Sequence, residues 1–227
     1  MIAVAQARPS DRARFIRRTY THLAGAVGAF ALLEYGFIQS GFAGAMAQAI
    51  AGSRYAWLMV LGGFALLGWM ARTLAANTSP EMQYIGLGLY VFMQALIFAP
   101  MIFIAVYFTS PEVLPTAALL TAMMFAGLTA VVFITQKDFS FLGGILTMGG
   151  FVALGLIICS VIFGFSLGLF FSFFMVVFAS GAILYDTSNI MKHYAVDQHV
   201  AASLELFASV ALLFWYVLRI LMSLSRD

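Results

Sequence analysis

Seven stretches of about 20 apolar residues or more recur along this chain, and that recurrence constrains its fold more than any single motif does. An α-helix needs roughly 20 mostly apolar residues to cross about 30 Å of hydrocarbon. Bounded by charge, proline or polar clusters, the runs fall at about Tyr20–Gln39, Tyr55–Leu74, Met82–Phe108, Val113–Thr135, Phe141–Phe163, Leu167–Ile190 and Val200–Leu224. Composition agrees: 63% of residues are hydrophobic and 9% charged, where a soluble domain is about 25% charged. The sequence predicts an all-α integral membrane protein of seven transmembrane helices, seated in the lipid bilayer.

The connections between runs are short, the longest being Ser40–Arg54, so no soluble domain of roughly 50 residues fits among them. The chain divides into a basic N-terminal tail, residues 1–19, and a transmembrane domain, residues 20–227. Basic residues before the first run imitate a signal peptide, but the length of that run and the spans that follow read as a retained anchor. Counting Lys and Arg on alternate sides sets the orientation. With the N-terminus inside, Arg8, Arg12, Arg14, Arg17, Arg18, Arg72, Lys137 and Lys192 are cytoplasmic, against Arg54, Arg219 and Arg226 outside. The excess predicts a cytoplasmic N-terminus and, with an odd number of helices, a periplasmic C-terminus. The net charge of +2 comes mostly from the N-terminal arginines, which orientation and anionic lipid explain without a nucleic-acid partner. The single cysteine, Cys159, leaves no intrachain disulfide and no cysteine-based metal site.

Ionisable groups inside the bilayer carry the functional information, because each costs several kcal/mol unless it faces protein, water or an interface. Glu34 lies near the outer third of the first run, where snorkelling or a structural hydrogen bond is the expected role. Arg72 closes the second run, either as an anchor at the membrane surface or as a fork for a carboxylate of another helix. Asp186, in GAILYDTSNI, sits toward the cytoplasmic end of the sixth run at a similar depth, so the two could pair. Helical steps back from Asp186 give Ala182, Ala179, Met175 and Ser172, small residues for the most part, which turn the acid toward protein. It serves either as a local cap or as a functional carboxylate. In the last run Glu205, Ser209, Leu212, Tyr216 and Arg219 share one helical face, which predicts a central helix with that face on a cavity or a buried network.

Other signals are weaker. Pro100, after Gln94, predicts a bend in the third span that faces protein or water. Gly143, Gly144, Gly149 and Gly150 suit close packing, and Gly164 with Gly168 suits a turn. His193 and His199 flank a loop with unspecific spacing and do not read as a zinc site. No nucleophile-and-base motif and no phosphate-cradling loop stands in the sequence, so neither an enzyme nor a cofactor is expected.

Five strings together carry a family resemblance: RRTYTHLAGAV (Arg17–Val27), QALIFAPMIF (Gln94–Phe103), TQKDFSFLGG (Thr135–Gly144), GAILYDTSNI (Gly181–Ile190) and LLFWYVLRIL (Leu212–Leu221). In order and spacing they resemble the Bax inhibitor family of membrane proteins, most closely its bacterial branch, which includes a modulator of the FtsH protease. The resemblance implies six helices around a central seventh. It also implies an inner-membrane location and association with a membrane-anchored AAA protease. For some members it implies a pH-sensitive calcium leak, with calcium as a transported ion. In those members two facing aspartates share a proton or a hydrogen bond near the cytoplasmic end, and an arginine of the second helix latches to them. Asp186 matches the first aspartate and Arg72 the latch, whereas Ser209 stands at the second aspartate, with Glu205 one turn earlier. If Glu205 reaches Asp186, a shared proton is retained; if Asp186 meets only Ser209 and Arg72, it is a latch. The expected role is therefore modulation of a protease by association, with a cation leak through Asp186, Arg72 and Glu205 as the alternative. On that reading the basic tail is a handle for the protease.

Overall fold

The computed structural model describes residues 3–51, 54–76 and 79–225, apart from the side chains of residues 54–61, 64 and 67. Among these the regular structure is helical: a 3-10 turn at Val4–Gln6 followed by α1 (Pro9–Gln39), α2 (Phe42–Ala51), α3 (Arg54–Ala75), α4 (Pro80–Phe108), α5 (Val113–Thr135), α6 (Leu142–Phe163), α7 (Gly168–Lys192) and α8 (His199–Leu224). Six of them, α1 and α4 to α8, are long and apolar enough to cross a membrane. The second expected run coincides with α3. Arg226 and the side chain of Arg54, two of the basic residues assigned to the outside, lie beyond the described part.

Two boundaries differ from expectation. The basic segment is not a tail: α1 starts at Pro9, a residue preorganised for a first helical turn, and Asp11 in that turn pairs with Arg8 at 3.4 Å. Phe15 and Thr19 continue the buried stripe of α1 toward the N-terminus, and Val4, wholly buried, donates its N–H to the Tyr194 carbonyl at 2.9 Å. The segment Ser40–Arg54 is not a plain loop either. Gly41, at φ +75°, breaks α1 in the left-handed region that glycine enters freely, and α2 follows at once. Its Ala43 is fully buried, and a Cβ at Gly44 would press on the Phe103 ring at 3.0 Å, so α2 lies tightly on α4. A run of ten residues is too short to signal a span, which is why its helicity escaped the pattern.

α4 and α8 form the interior. Half or more of the residues in their apolar stretches are buried, against 6% in α6. α8 packs on α1, α3, α4, α5 and α7, while α6 leans on α7 and, more lightly, on α3. Aromatic pairs fix the register. His22 meets His199 at 5.0 Å and Phe30 meets Phe207 at 6.1 Å, the same sequence offset, so α1 and α8 run parallel. Phe30 on Phe98 at 5.1 Å and Phe37 on Phe92 at 6.2 Å run α4 antiparallel to α1. α3 and α4 touch most closely at Gly86, where a Cβ would lie 2.5 Å from the Ala75 nitrogen and 2.6 Å from the Ala71 carbonyl oxygen. Pro100 is buried within a helix that continues to Phe108, so the carbonyl of Leu96 lacks its usual donor at a protein-facing position.

Candidate functional site

The polar face of α8 lines one cavity from end to end. Glu205, Ser209, Leu212, Tyr216 and Arg219 all border a space of about 1010 Å³ that is also lined by α3, α4, α6 and α7. Two glycines of α6 shape the wall: Gly143 lies under the Tyr185 ring and Gly149 under the Phe178 ring, where a Cβ would sit 3.0 and 3.1 Å from ring carbons. The side-chain stripe of α7 turns inward as its small residues suggest, with Ser172, Met175 and Ala179 buried.

At the end of the cavity nearest the α1 N-terminus, three helices contribute charge. Arg72 does not meet Asp186. Its Nε donates to Glu205 Oε1 at 2.9 Å and Oε2 at 3.2 Å, and its guanidinium lies 5.4 Å from the centre of the Tyr90 ring. Asp186 instead accepts from the Ser209 hydroxyl, Oγ to Oδ2, at 2.5 Å. The reason is register: Ser209 stands one turn beyond Glu205 on the same face, so Glu205 comes level with the end of α3 and Ser209 with the turn of α7 that bears Asp186. No hydrogen bond joins Glu205 to Asp186 among the described residues. The carboxylates are held apart by separate partners, one cationic and one neutral. Gln94 Nε2 donates to the Tyr90 hydroxyl at 3.2 Å and extends the network into α4. Two acids, a guanidinium and a hydroxyl around one space can bind and release protons or small cations, and they tie α3, α7 and α8 together.

A second cavity, of about 560 Å³, lies between α2, α4 and the far end of α8. Trp215 and Arg219 border both spaces, so they form the partition between them. Pro100 lines the second cavity.

Outside the cavities, at the end that carries the α1 N-terminus, the α5–α6 connection is clamped to α7. Asp138 Oδ2 stands 3.7 Å from both Lys192 Nζ and His193 Nε2, and the Phe139 N–H donates to Ser188 Oγ at 3.0 Å. The Ser140 N–H donating to Asp138 at 2.9 Å holds this carboxyl below the usual carboxylate range, with Lys192 and His193 adding to the effect. Burial pushes the Tyr194 hydroxyl up. His199 approaches His22 of α1, whose Nδ1 lies 2.7 Å from the Arg18 carbonyl and whose Nε2 lies 3.1 Å from the Tyr84 hydroxyl. Sequence reasoning passed over His22 and Tyr84 because the signal is positional: each falls in the first turns of a span, on different helices.

Glu34 departs furthest from expectation. It is 4% exposed, and among the described residues neither carboxylate oxygen has a hydrogen-bond partner. It therefore neither snorkels nor makes the expected structural hydrogen bond.

Comparison with known proteins is consistent across the chain. The family model for the inhibitor of apoptosis-promoting Bax1 matches residues 12–226. Bax inhibitor 1 of Schizosaccharomyces pombe is 29% identical over 99% of this chain and 82% of its own length. An uncharacterised Pseudomonas aeruginosa protein is 41% identical over 48% of this chain and 49% of its own. The modulator of FtsH protease YccA of Escherichia coli is 37% identical over 47% of this chain and 49% of its own. The match thus spans about half the length of these two bacterial relatives.

Proposed function

This chain belongs to the Bax inhibitor family, and on that premise we propose that it acts by association, restraining a membrane-anchored AAA protease of the FtsH type in a bacterial inner membrane. The observation that carries the reading is the similarity to a relative named as a modulator of that protease. In this reading α3 is the seventh span, α1 and α3 to α7 surround α8, and the basic end of the bundle is cytoplasmic, where a protease has ATP. The partner would meet a folded surface there rather than a loose handle: α1 begins at Pro9, Arg14, Arg17 and Arg18 project from its exposed side, and Val4 is fastened to the α7–α8 connection. Co-reconstitution tests this. The full-length protein is expected to co-purify with an FtsH-type protease and to slow its degradation of a membrane substrate. An unchanged degradation rate at saturating protein refutes the proposal.

A cation leak is the second reading, favoured by the cavity with Asp186 and Glu205 at one end and the Arg219 partition at the other. Calcium would be its transported ion. Flux into dye-loaded proteoliposomes that disappears in Asp186→Asn supports it, and flux no greater than in empty liposomes removes it.

A further inference from the structure

Glu34 takes no part in the cavity or in the arginine-bearing surface. It lies on the stripe of α1 that includes Leu23, Ala26 and Phe30, and this stripe packs against α4 and α8. The aromatic registers place it level with Ala211 of α8 and with Gln94 and Ala95 of α4. Asp186 meets α8 at Ser209, almost the same depth, but from α7. One central helix thus receives a carboxyl group from each of two neighbours, one with a hydroxyl partner and one with none.

Among the described residues, the elements around Glu34 bring no compensating charge to its level. α2 contains no titratable residue. On α4 the nearest titratable group is Tyr90, about one turn away, whose hydroxyl accepts from Gln94. On α8 the nearest are Glu205, already paired with Arg72, and Tyr216. An ionised carboxylate at 4% exposure without donor or cation is opposed by several kcal/mol. A carboxylic acid is neutral and carries one O–H to donate. Within one turn of the same level, α4 has the Leu96 carbonyl that Pro100 leaves without its helical donor.

We propose that Glu34 is a proton-binding site of the bundle, separate from the Asp186–Ser209 pair, which keeps α1 against α4 and α8 while it holds its proton and loosens that contact when it gives the proton up. The site needs neither the protease association nor the cation leak, and stands or falls by itself.

A hydrophobic carbodiimide tests it on the full-length protein in lipid nanodiscs. The acid adds across a carbon–nitrogen double bond of dicyclohexylcarbodiimide, its proton passing to nitrogen, and the adduct rearranges to a stable N-acylurea with no leaving group. Only the protonated carboxyl starts this addition. Mass spectrometry is expected to find the adduct on the Glu34 peptide, decreasing as pH rises, absent in Glu34→Gln, and not formed by a water-soluble carbodiimide. The thermal midpoint of the wild type is expected to fall with rising pH relative to that of Glu34→Gln. A Glu34 peptide unmodified at every pH while Asp186 or Glu205 reacts overturns the proposal, as does equal modification by the water-soluble reagent. A pH-independent difference between the two midpoints overturns the loosening step.

Discussion

Gly86 controls where Arg72 stands, and Gly86→Ala measures how tightly. The added Cβ would lie 2.5 Å from the Ala75 nitrogen, 2.6 Å from the Ala71 carbonyl oxygen and 3.0 Å from the Leu74 Cβ. Ordinary contact begins near 3.4 Å, so α3 and α4 must part by about 0.9 Å at this point. No side-chain rotation relieves the clash, because two of the three obstacles are backbone. Overpacking of this kind costs about 1–3 kcal/mol, offset by the roughly 1 kcal/mol that alanine gains over glycine in a helix. Two backbone obstacles at 2.5 and 2.6 Å place this case at the upper end of that range, a net loss of about 2 kcal/mol. The displaced turn carries Arg72, whose 2.9 Å bond to Glu205 cannot survive a 0.9 Å retreat unless the side chain re-extends. Gly68→Ala is the control: its Cβ would meet the Tyr90 ring at 3.7 Å, an ordinary contact, and is neutral or stabilising. Thermal unfolding in detergent, followed by size-exclusion of the surviving fraction, reads both. Gly86→Ala should fall by several degrees, and Glu205→Gln should then cost less in that background than in the wild type. A Gly86→Ala midpoint equal to that of the wild type refutes the argument.

Two further outcomes follow from the site. Ser209→Asp places a second carboxyl against Asp186, where two close acids share one proton. Calcium flux through this variant in proteoliposomes is expected to vary with pH between about pH 6 and 8, and a profile identical to that of the wild type refutes the shared-proton reasoning. At the α5–α6 connection, Asp138 is held below its ordinary range, so its ionised form stabilises the clamp. That contribution is whole above the unfolded value, near pH 4, and is lost as pH falls through the lower, folded one. Amide exchange in residues 136–141 should thus lose protection as pH falls below about 4, whereas Asp138→Asn exposes the segment at higher pH as well. Equal protection in wild type and variant removes the clamp.

The apolar runs were legible because period and length are local properties: 20 residues of hydrocarbon-compatible sequence can do little but form a helix in lipid. The polar face of α8 was legible for the same reason, since helical spacing alone gathers Glu205, Ser209 and Arg219 onto one side. Hydropathy signalled neither the start of α1 at Pro9 nor α2. The N-terminal turns of α1 are basic on their outer side and carry large apolar side chains only at Phe15 and Ile16, and α2 is shorter than a span. What the sequence determined by itself is a multi-span helical membrane protein with an acid-bearing inner face. Which carboxylate Arg72 takes, and whether Glu34 finds a partner, only tertiary structure decided. Both answers depend on the rotation and stagger of packed helices, which Gly86, the Phe30 contacts and the meeting of His22 with His199 set across distant parts of the chain.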